Sequence, residues 1–520
     1  MTASQGSEER NLVPRWRPFR VSAALGELAS SSVPNQPSMR LPDMEALHAF
    51  NTAPTLHTAS DALGLAFSLQ DPAPLRPVVE FIESAKANSL LAAAAAQVRR
   101  RLDQVPITGE ETWFRVDARH AVVSHIREEL GRKPRNPTKW VDLALAQTLL
   151  GQSGKARRSI TTALALAPLN RFVLRSAVRF FIHIEDPEAA QYTLKSAKGS
   201  SDPWILAAEI ASDEAAGSAP SSMKEALFVL SSGNFSSWAI SELACTVAHA
   251  EFNGGRDKRA RKFLDQASPQ PTENAAAQIA FESQRGGFTV RPAQDPERRF
   301  EAEALEARWQ KDWSAAMNSG LKWQNDQPFA VEPAAFLSYV AAVGAERYDI
   351  AEQAARTGRL ANPQDATIAN NLAFALANQD KHDEAKAILA NCPPPEDARE
   401  AAVYSATRGL VAFRGGLVEE GREGYSQAVE SCLDLGLPDN AALAASYWAR
   451  EEVRAKTPSA IEIIKTAVTL AGRAPSSDAE VVLARLSESF STPGSSARPA
   501  PVTSLSIDWP PSFRPDTKNL

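Results

Sequence analysis

The stretch TKWVDLALAQTLLGQSGKARRSITTALALAP, Thr138 to Pro168, decides how the rest of the chain is read. It holds two signals. One is LLGQSGKARRS, which has the look of a phosphate-binding loop. The other is a slower succession of Trp, Leu, Ala, Gly, Ala, Ile, Ala and Pro. A Walker-type loop needs four residues between its glycines, then Lys followed by Ser or Thr, after a strand. Here two residues separate Gly151 from Gly154, Ala156 follows Lys155, and no strand pattern precedes. The stretch therefore reads as two helices joined by a turn at GQSGKA.

A 34-residue frame begun at Pro137 places Trp140 at position 4, Leu143 and Ala144 at 7 and 8, and Gly151 near the turn. Ala156, Ile160, Ala163 and Pro168 then fall at positions 20, 24, 27 and 32. Two antiparallel helices approach closely only where small side chains face each other, which Ala144, Ala156 and Ala163 supply. Trp140, Leu143 and Ile160 fill the space between, and Pro168 stops the second helix. The frame resembles the tetratricopeptide repeat (TPR) family, with one departure at Gln147, position 11, where a large apolar residue is usual. Weaker copies stay in phase. A frame from Arg171 sets Phe181, Ala190, Leu194 and Ala197; one near Ser241 gives Ala248, Ala260, Leu264 and Ala267. NNLAFALANQDKHDEAKAILA gives Leu372, Ala373, Leu376, Ala385 and Leu389, with Ala351 one period before Ala385. Tyr425 and Ala428 stand at positions 24 and 27 of a further copy. The resemblance implies an all-α, right-handed solenoid of antiparallel helix pairs in two TPR-like blocks with extended terminal arms.

The bulk numbers agree. At 520 residues the chain is too long for one ordinary compact domain unless it is a repeat array. Aromatics are 7% and alanine recurs throughout, which favours close-packed helices. Strand signals are scarce. The expected organisation is an arm over 1–40, a helical region over 41–136, one block over 137–290, Trp-rich connecting helices over 291–330, a second block over 331–490 and a Pro/Ser-rich tail over 491–520. Cys245, Cys392 and Cys432 lie far apart without a CxxC pair, which argues against a zinc site or disulfide framework and for a reducing compartment. The N-terminus has no signal-peptide pattern and no apolar run spans a bilayer, so the expected setting is the cytoplasm.

Chemistry is hard to find. The seven histidines form no metal-ligand spacing; His120 and His125 lie five apart and do not share a helix face. No nucleophile elbow, dinucleotide fingerprint or kinase set appears, so no catalytic residue, metal or cofactor is expected. Binding residues are easier to nominate. The net charge is −6, yet residues 97–180 hold 16 Lys and Arg against 7 Asp and Glu. Arg171, Arg175 and Arg179 recur at i, i+4 and i+8 on one helix face. The resemblance puts Arg175 and Arg179 at positions 5 and 9, facing the ligand groove, where an exposed guanidinium row would suit an acidic partner. It likewise implies groove-facing amides at Asn370, Asn371 and Asn378, with position 6 (Asn371) bonding a ligand backbone. The terminal segments VPRWRPFR and IDWPPSFRP set Trp16, Phe19, Trp509 and Phe513 among Pro and Arg, as docking motifs do, either in cis or in trans. The reading is a non-catalytic scaffold or adaptor, a subunit of a larger complex, holding a protein partner through an acidic or extended segment. The alternatives are nucleic-acid binding by the basic segment and a regulatory or sensor subunit of an enzyme.

Overall fold

The computed structural model describes residues 12–19, 41–64, 73–85, 89–102 and 119–491, apart from 198, 200, 294, 394, 396 and 476. Every regular element among them is helical. Two compact units divide the chain between Arg299 and Phe300.

The N-terminal unit opens with four helices around their own small core of Phe50, Leu75, Val78, Ile82 and Val98. These are α1 (Leu41–Thr52), α2 (Leu56–Gly64), α3 (Arg76–Ser84) and α4 (Ser89–Leu102), followed by α5 (Arg119–Arg132). Helix pairs then succeed one another: α6 (Pro137–Thr148) with α7 (Ser153–Leu166), α8 (Arg171–His183) with α9 (Pro187–Leu194), and α10 (Pro203–Ala215) with α11 (Met223–Ser232). The series closes with α12 (Ser237–Asn253) paired to α13 (Asp257–Ala267), and α14 (Glu273–Arg285). The first helices α6, α8, α10, α12 and α14 also pack side by side and so form one continuous face.

Local sequence sets these boundaries. Asn136, Asp186 and Asp202 cap helices whose first residue is proline, each side chain accepting from backbone N–H groups one turn in. Gly151 ends the first pair's opening helix at φ 66°, a conformation that only glycine adopts without strain. The repeat positions behave as spacing requires: Ala144, Ala156, Ile160 and Ala163 are fully buried. Gln147 is accommodated at position 11 because its side-chain oxygen accepts from Ser159 Oγ at 2.8 Å inside the hairpin.

The C-terminal unit comprises α15 (Phe300–Trp309), α16 (Trp313–Asp326), α17 (Val331–Tyr339), α18 (Tyr348–Ala361), α19 (Ala366–Asn378), α20 (His382–Ala390), α21 (Ala398–Arg414), α22 (Val418–Asp434), α23 (Pro438–Arg454), α24 (Ala460–Arg473) and α25 (Ala479–Ser491). Consecutive helices pair, and α17, α19, α21, α23 and α25 lie side by side. The approach of α21 to α22 depends on glycine. A Cβ on Gly409 would sit 2.9 Å from the Gly421 carbonyl oxygen, which excludes alanine there. Trp323 and Trp313 are packing residues: Trp323 meets Phe336 at 5.6 Å and Trp313 lies under the Arg308 guanidinium.

Candidate functional site

In the N-terminal unit the face made by α6, α8, α10, α12 and α14 is occupied. Leu12–Phe19, LVPRWRPF, lies across it without regular secondary structure. Pro14 and Pro18 remove two backbone donors and disfavour helix at the residues before them, so this stretch enters the groove already biased to an extended form. Its side chains alternate as an extended chain demands: Leu12, Pro14 and Trp16 are buried, while Val13, Arg15 and Arg17 are partly exposed.

The segment runs against the order of the helices. Val13 accepts a hydrogen bond from Asn274 Nδ2 on α14 at 2.8 Å. Leu12 joins the core formed by Leu206, Ile210 and Leu243. Trp16, 1% exposed, meets Phe180 of α8 edge to face with centroids 6.0 Å apart. Arg17 reaches Glu273 at 3.3 Å. Phe19 packs on Phe172 at 5.0 Å, and its backbone N–H donates to Asp142 Oδ1 on α6 at 2.7 Å. Burial pushes the Asp142 carboxyl up to about 6, against the opposing effects of the Phe19 N–H and of Lys139. Asp142 stands at position 6 of the Pro137 frame, the place where the resemblance puts a ligand-backbone contact.

The basic row meets a different fate from that expected. Arg171 pairs with Asp202. Arg175 is 6% exposed, pairs with Glu242 at 2.7 Å and lies 4.5 Å over the Trp204 ring. Arg179 is 7% exposed. The expectation of an exposed guanidinium row is thus corrected: Arg171 and Arg175 face carboxylates of the unit itself, Trp204 of α10 lies against Arg175, and Arg179 is buried. Phe172 and Phe180 share the helix with that row, eight residues apart, and were not singled out in the sequence. The same i, i+4, i+8 count that gathers the arginines also gathers Phe172, Ser176 and Phe180, and is the signal that points to them.

The amides of the C-terminal unit are inward. Asn371 is fully buried and donates to the Ala335 carbonyl and Ser338 Oγ of α17. Asn370 is buried beside a cavity of about 10 Å³ lined by Thr367, Glu400 and Tyr404, and its amide atoms have no hydrogen-bond partner. Asn378 Oδ1 accepts from Arg450 at 2.6 Å. Around it, Arg414 pairs with Glu451 at 2.6 Å and with Asp380 at 3.0 Å, and Arg454 reaches Asp380 at 2.7 Å. Burial works against the Glu451 charge, yet Arg450 and Arg414 hold its carboxyl below the usual range. The structure brings Asn378 into this ion network and leaves Asn370 and Asn371 in the helix packing. Trp509 and Phe513 lie outside the described residues.

No helix among the described residues is long and apolar enough to cross a membrane. No family model matches the chain, and no curated protein does. Among solved structures, the crystal structure of yeast Tom70 is similar over 82% of this chain and 91% of that one, at 14% identity and a TM-score of 0.29. The fold description rests on the helix pairs themselves.

Proposed function

We propose that this chain is a non-catalytic scaffold whose N-terminal unit holds extended polypeptide on the face of its first helices. One observation carries the reading: Leu12–Phe19 already lies there, held by two backbone hydrogen bonds and by alternate apolar side chains. Backbone bonds supply affinity for any extended chain, and pockets for every second side chain supply selectivity. The partner's chemistry follows from the occupant. It is extended, aromatic and basic, rather than acidic, because Arg171 and Arg175 pair with the unit's own Asp202 and Glu242 while Glu273 faces the segment's Arg17. The same pairing weakens the nucleic-acid reading, since Arg99, Arg157 and Lys139 of the basic segment also face Glu83, Asp186 and Glu129.

The test is a titration of a labelled Leu12–Phe19 peptide into the full chain carrying Trp16→Ala, which weakens the resident segment. Saturable binding is expected, and Phe180→Ala in that background should weaken it roughly thirtyfold, as loss of an aromatic anchor does. Absence of binding to the Trp16→Ala chain would refute the groove.

A further inference from the structure

We propose that the N-terminal unit binds a phosphorylated small molecule with an apolar or aromatic body, in a cleft between α5, α6 and α7. The site is separate from the face that holds Leu12–Phe19 and does not depend on that reading. The cleft has a volume of about 570 Å³, within the range of small-ligand sites. Three helix faces build it. Trp140, Leu143 and Gln147, spaced i, i+3 and i+7, share one face of α6. Lys155, Arg158 and Thr162 share one face of α7 at the same spacing, and Arg127 and Leu130 of α5 complete the lining. Asp142, which takes the Phe19 N–H, lies on a different face of α6.

The charge in the cleft is of one sign. Arg127, Lys155 and Arg158 line it and are exposed, and no carboxylate lines it among the described residues. None of the three has an ion-pair partner among those residues. The nearby carboxylates of α5 are engaged elsewhere, Glu128 with Arg132 and Glu129 with Lys139. This is the opposite of Arg171 and Arg175, whose charges are met within the unit. Three cations at one concave spot suit a group with more than one negative charge, where a lone carboxylate would occupy only one of them. Phosphoryl oxygens accept from several donors at once, and guanidinium forks match their geometry.

The floor of the cleft comes from Gln147, where the first repeat departs from its pattern. Gln147 is 2% exposed, and its side-chain oxygen accepts from Ser159 Oγ at 2.8 Å. Its amide nitrogen keeps its N–H donors for a ligand. A large apolar residue at this position would fill the space and offer no donor. Trp140, whose indole N–H donates to the Pro134 carbonyl at 2.8 Å, joins Leu130 and Leu143 as an apolar wall for the ligand's body. The grip comes from side chains of packed helices and not from a glycine loop, so Lys155 meets phosphate without belonging to a Walker loop.

The experiment titrates the full chain with metal-free adenosine triphosphate (ATP) and with inorganic triphosphate. One saturable site is expected for each, with ATP the tighter because only it has a ring for the apolar wall, and both weaker in high salt. Arg158→Gln, an exposed change that leaves the fold alone, should weaken ATP roughly tenfold, as loss of a hydrogen bond to a charged group does. Gln147→Leu restores the residue class that the repeat favours, and should abolish ATP binding while the melting temperature holds or rises. No saturation by either probe would overturn the site, as would ATP binding that survives both substitutions. Equal affinity for the two probes would reduce the cleft to an anion site and overturn the organic ligand. Tighter binding of a single-stranded oligonucleotide than of ATP, lost with Arg158→Gln, would make the cations a nucleic-acid surface and overturn the small-molecule site.

Discussion

The two units fill the corresponding face of their first helices in opposite ways. In the N-terminal unit it is covered by an eight-residue extended segment whose own grip is mostly apolar, with backbone bonds to Asn274 and Asp142. In the C-terminal unit it is knitted by charges fixed on helices, with Arg414, Arg450 and Glu451 on α21 and α23 meeting Asn378 and Asp380 beside α19. A segment that belongs to no helix can leave its face without breaking a helix pair. A network whose members sit in packed helices, or for Asp380 in the tight turn between two of them, cannot. On the function proposed above, the difference separates a face able to exchange its occupant from one that stays closed.

The largest effect tests the closed face. Glu451→Ala leaves Arg414 and Arg450, both largely buried, without their shared carboxylate. Breaking such a pair from one side costs about 3–5 kcal/mol, most of it the desolvated charge left behind. Amide exchange should rise in α19, α21 and α23 while α6 to α14 keep their protection. Arg175→Glu should do equal damage in the other unit, by setting a carboxylate against Glu242. Equal loosening of both units by either change would erase the distinction drawn between them.

That expectation for Arg175 reverses the one drawn from the sequence, and the reason is instructive. Helix pairing was legible because it depends on residue size at fixed spacing: Ala144, Ala156 and Ala163 are small where helices touch, and all three are fully buried. Whether a polar residue faces ligand or neighbour depends on what the next helices bring, which one repeat does not contain. Glu242 lies 67 residues from Arg175. Asn371 has the frame position of a ligand contact, yet Ser338 and the Ala335 carbonyl take its donor. The same position in the first frame, Asp142, does hold an extended backbone, and its partner Phe19 lies 123 residues earlier. Trp16 and Phe19 stand out in the sequence because proline and aromatic chemistry is local to the segment; Phe180 and Phe172, the rings they pack on, do not.

Acidification sharpens the contrast, because the two carboxylates at these faces shift in opposite directions. Asp142 is raised by burial to about 6 in the folded chain from an ordinary 3.8. Its stabilising contribution is therefore complete below the unfolded value and is lost as pH rises through about 6; the shift corresponds to about 3 kcal/mol. Glu451 is held low by Arg450 and Arg414, so its contribution is present above the unfolded value and lost as pH falls. Asp142→Asn keeps an oxygen for the Phe19 N–H and removes the ionisation. The variant should match the wild type in stability near the unfolded carboxylate pKa and exceed it at neutral pH. A wild-type advantage at neutral pH would mean that the charge, paired with Lys139, stabilises the site after all.

The smallest effect bears most directly on how the exchanging face is held. Arg17 and Glu273 lie 3.3 Å apart and each side chain is about a quarter exposed. Pairs of that kind contribute roughly 0.2–1 kcal/mol and weaken as salt rises. Arg17→Gln keeps much of the side-chain length and removes only the charge. Segment docking, followed by amide protection of Phe19 and of α14's first turn, should weaken by no more than fivefold in low salt and by nothing measurable in high salt, fivefold being about 1 kcal/mol. That result would leave Trp16 and the two backbone bonds as the main grip, the elements an exchanging ligand can reproduce. A larger, salt-resistant loss would instead place the grip in the Arg17 pair. The N-terminal face would then be held by a fixed charge, as the C-terminal one is, and the distinction between an exchanging and a closed face would disappear.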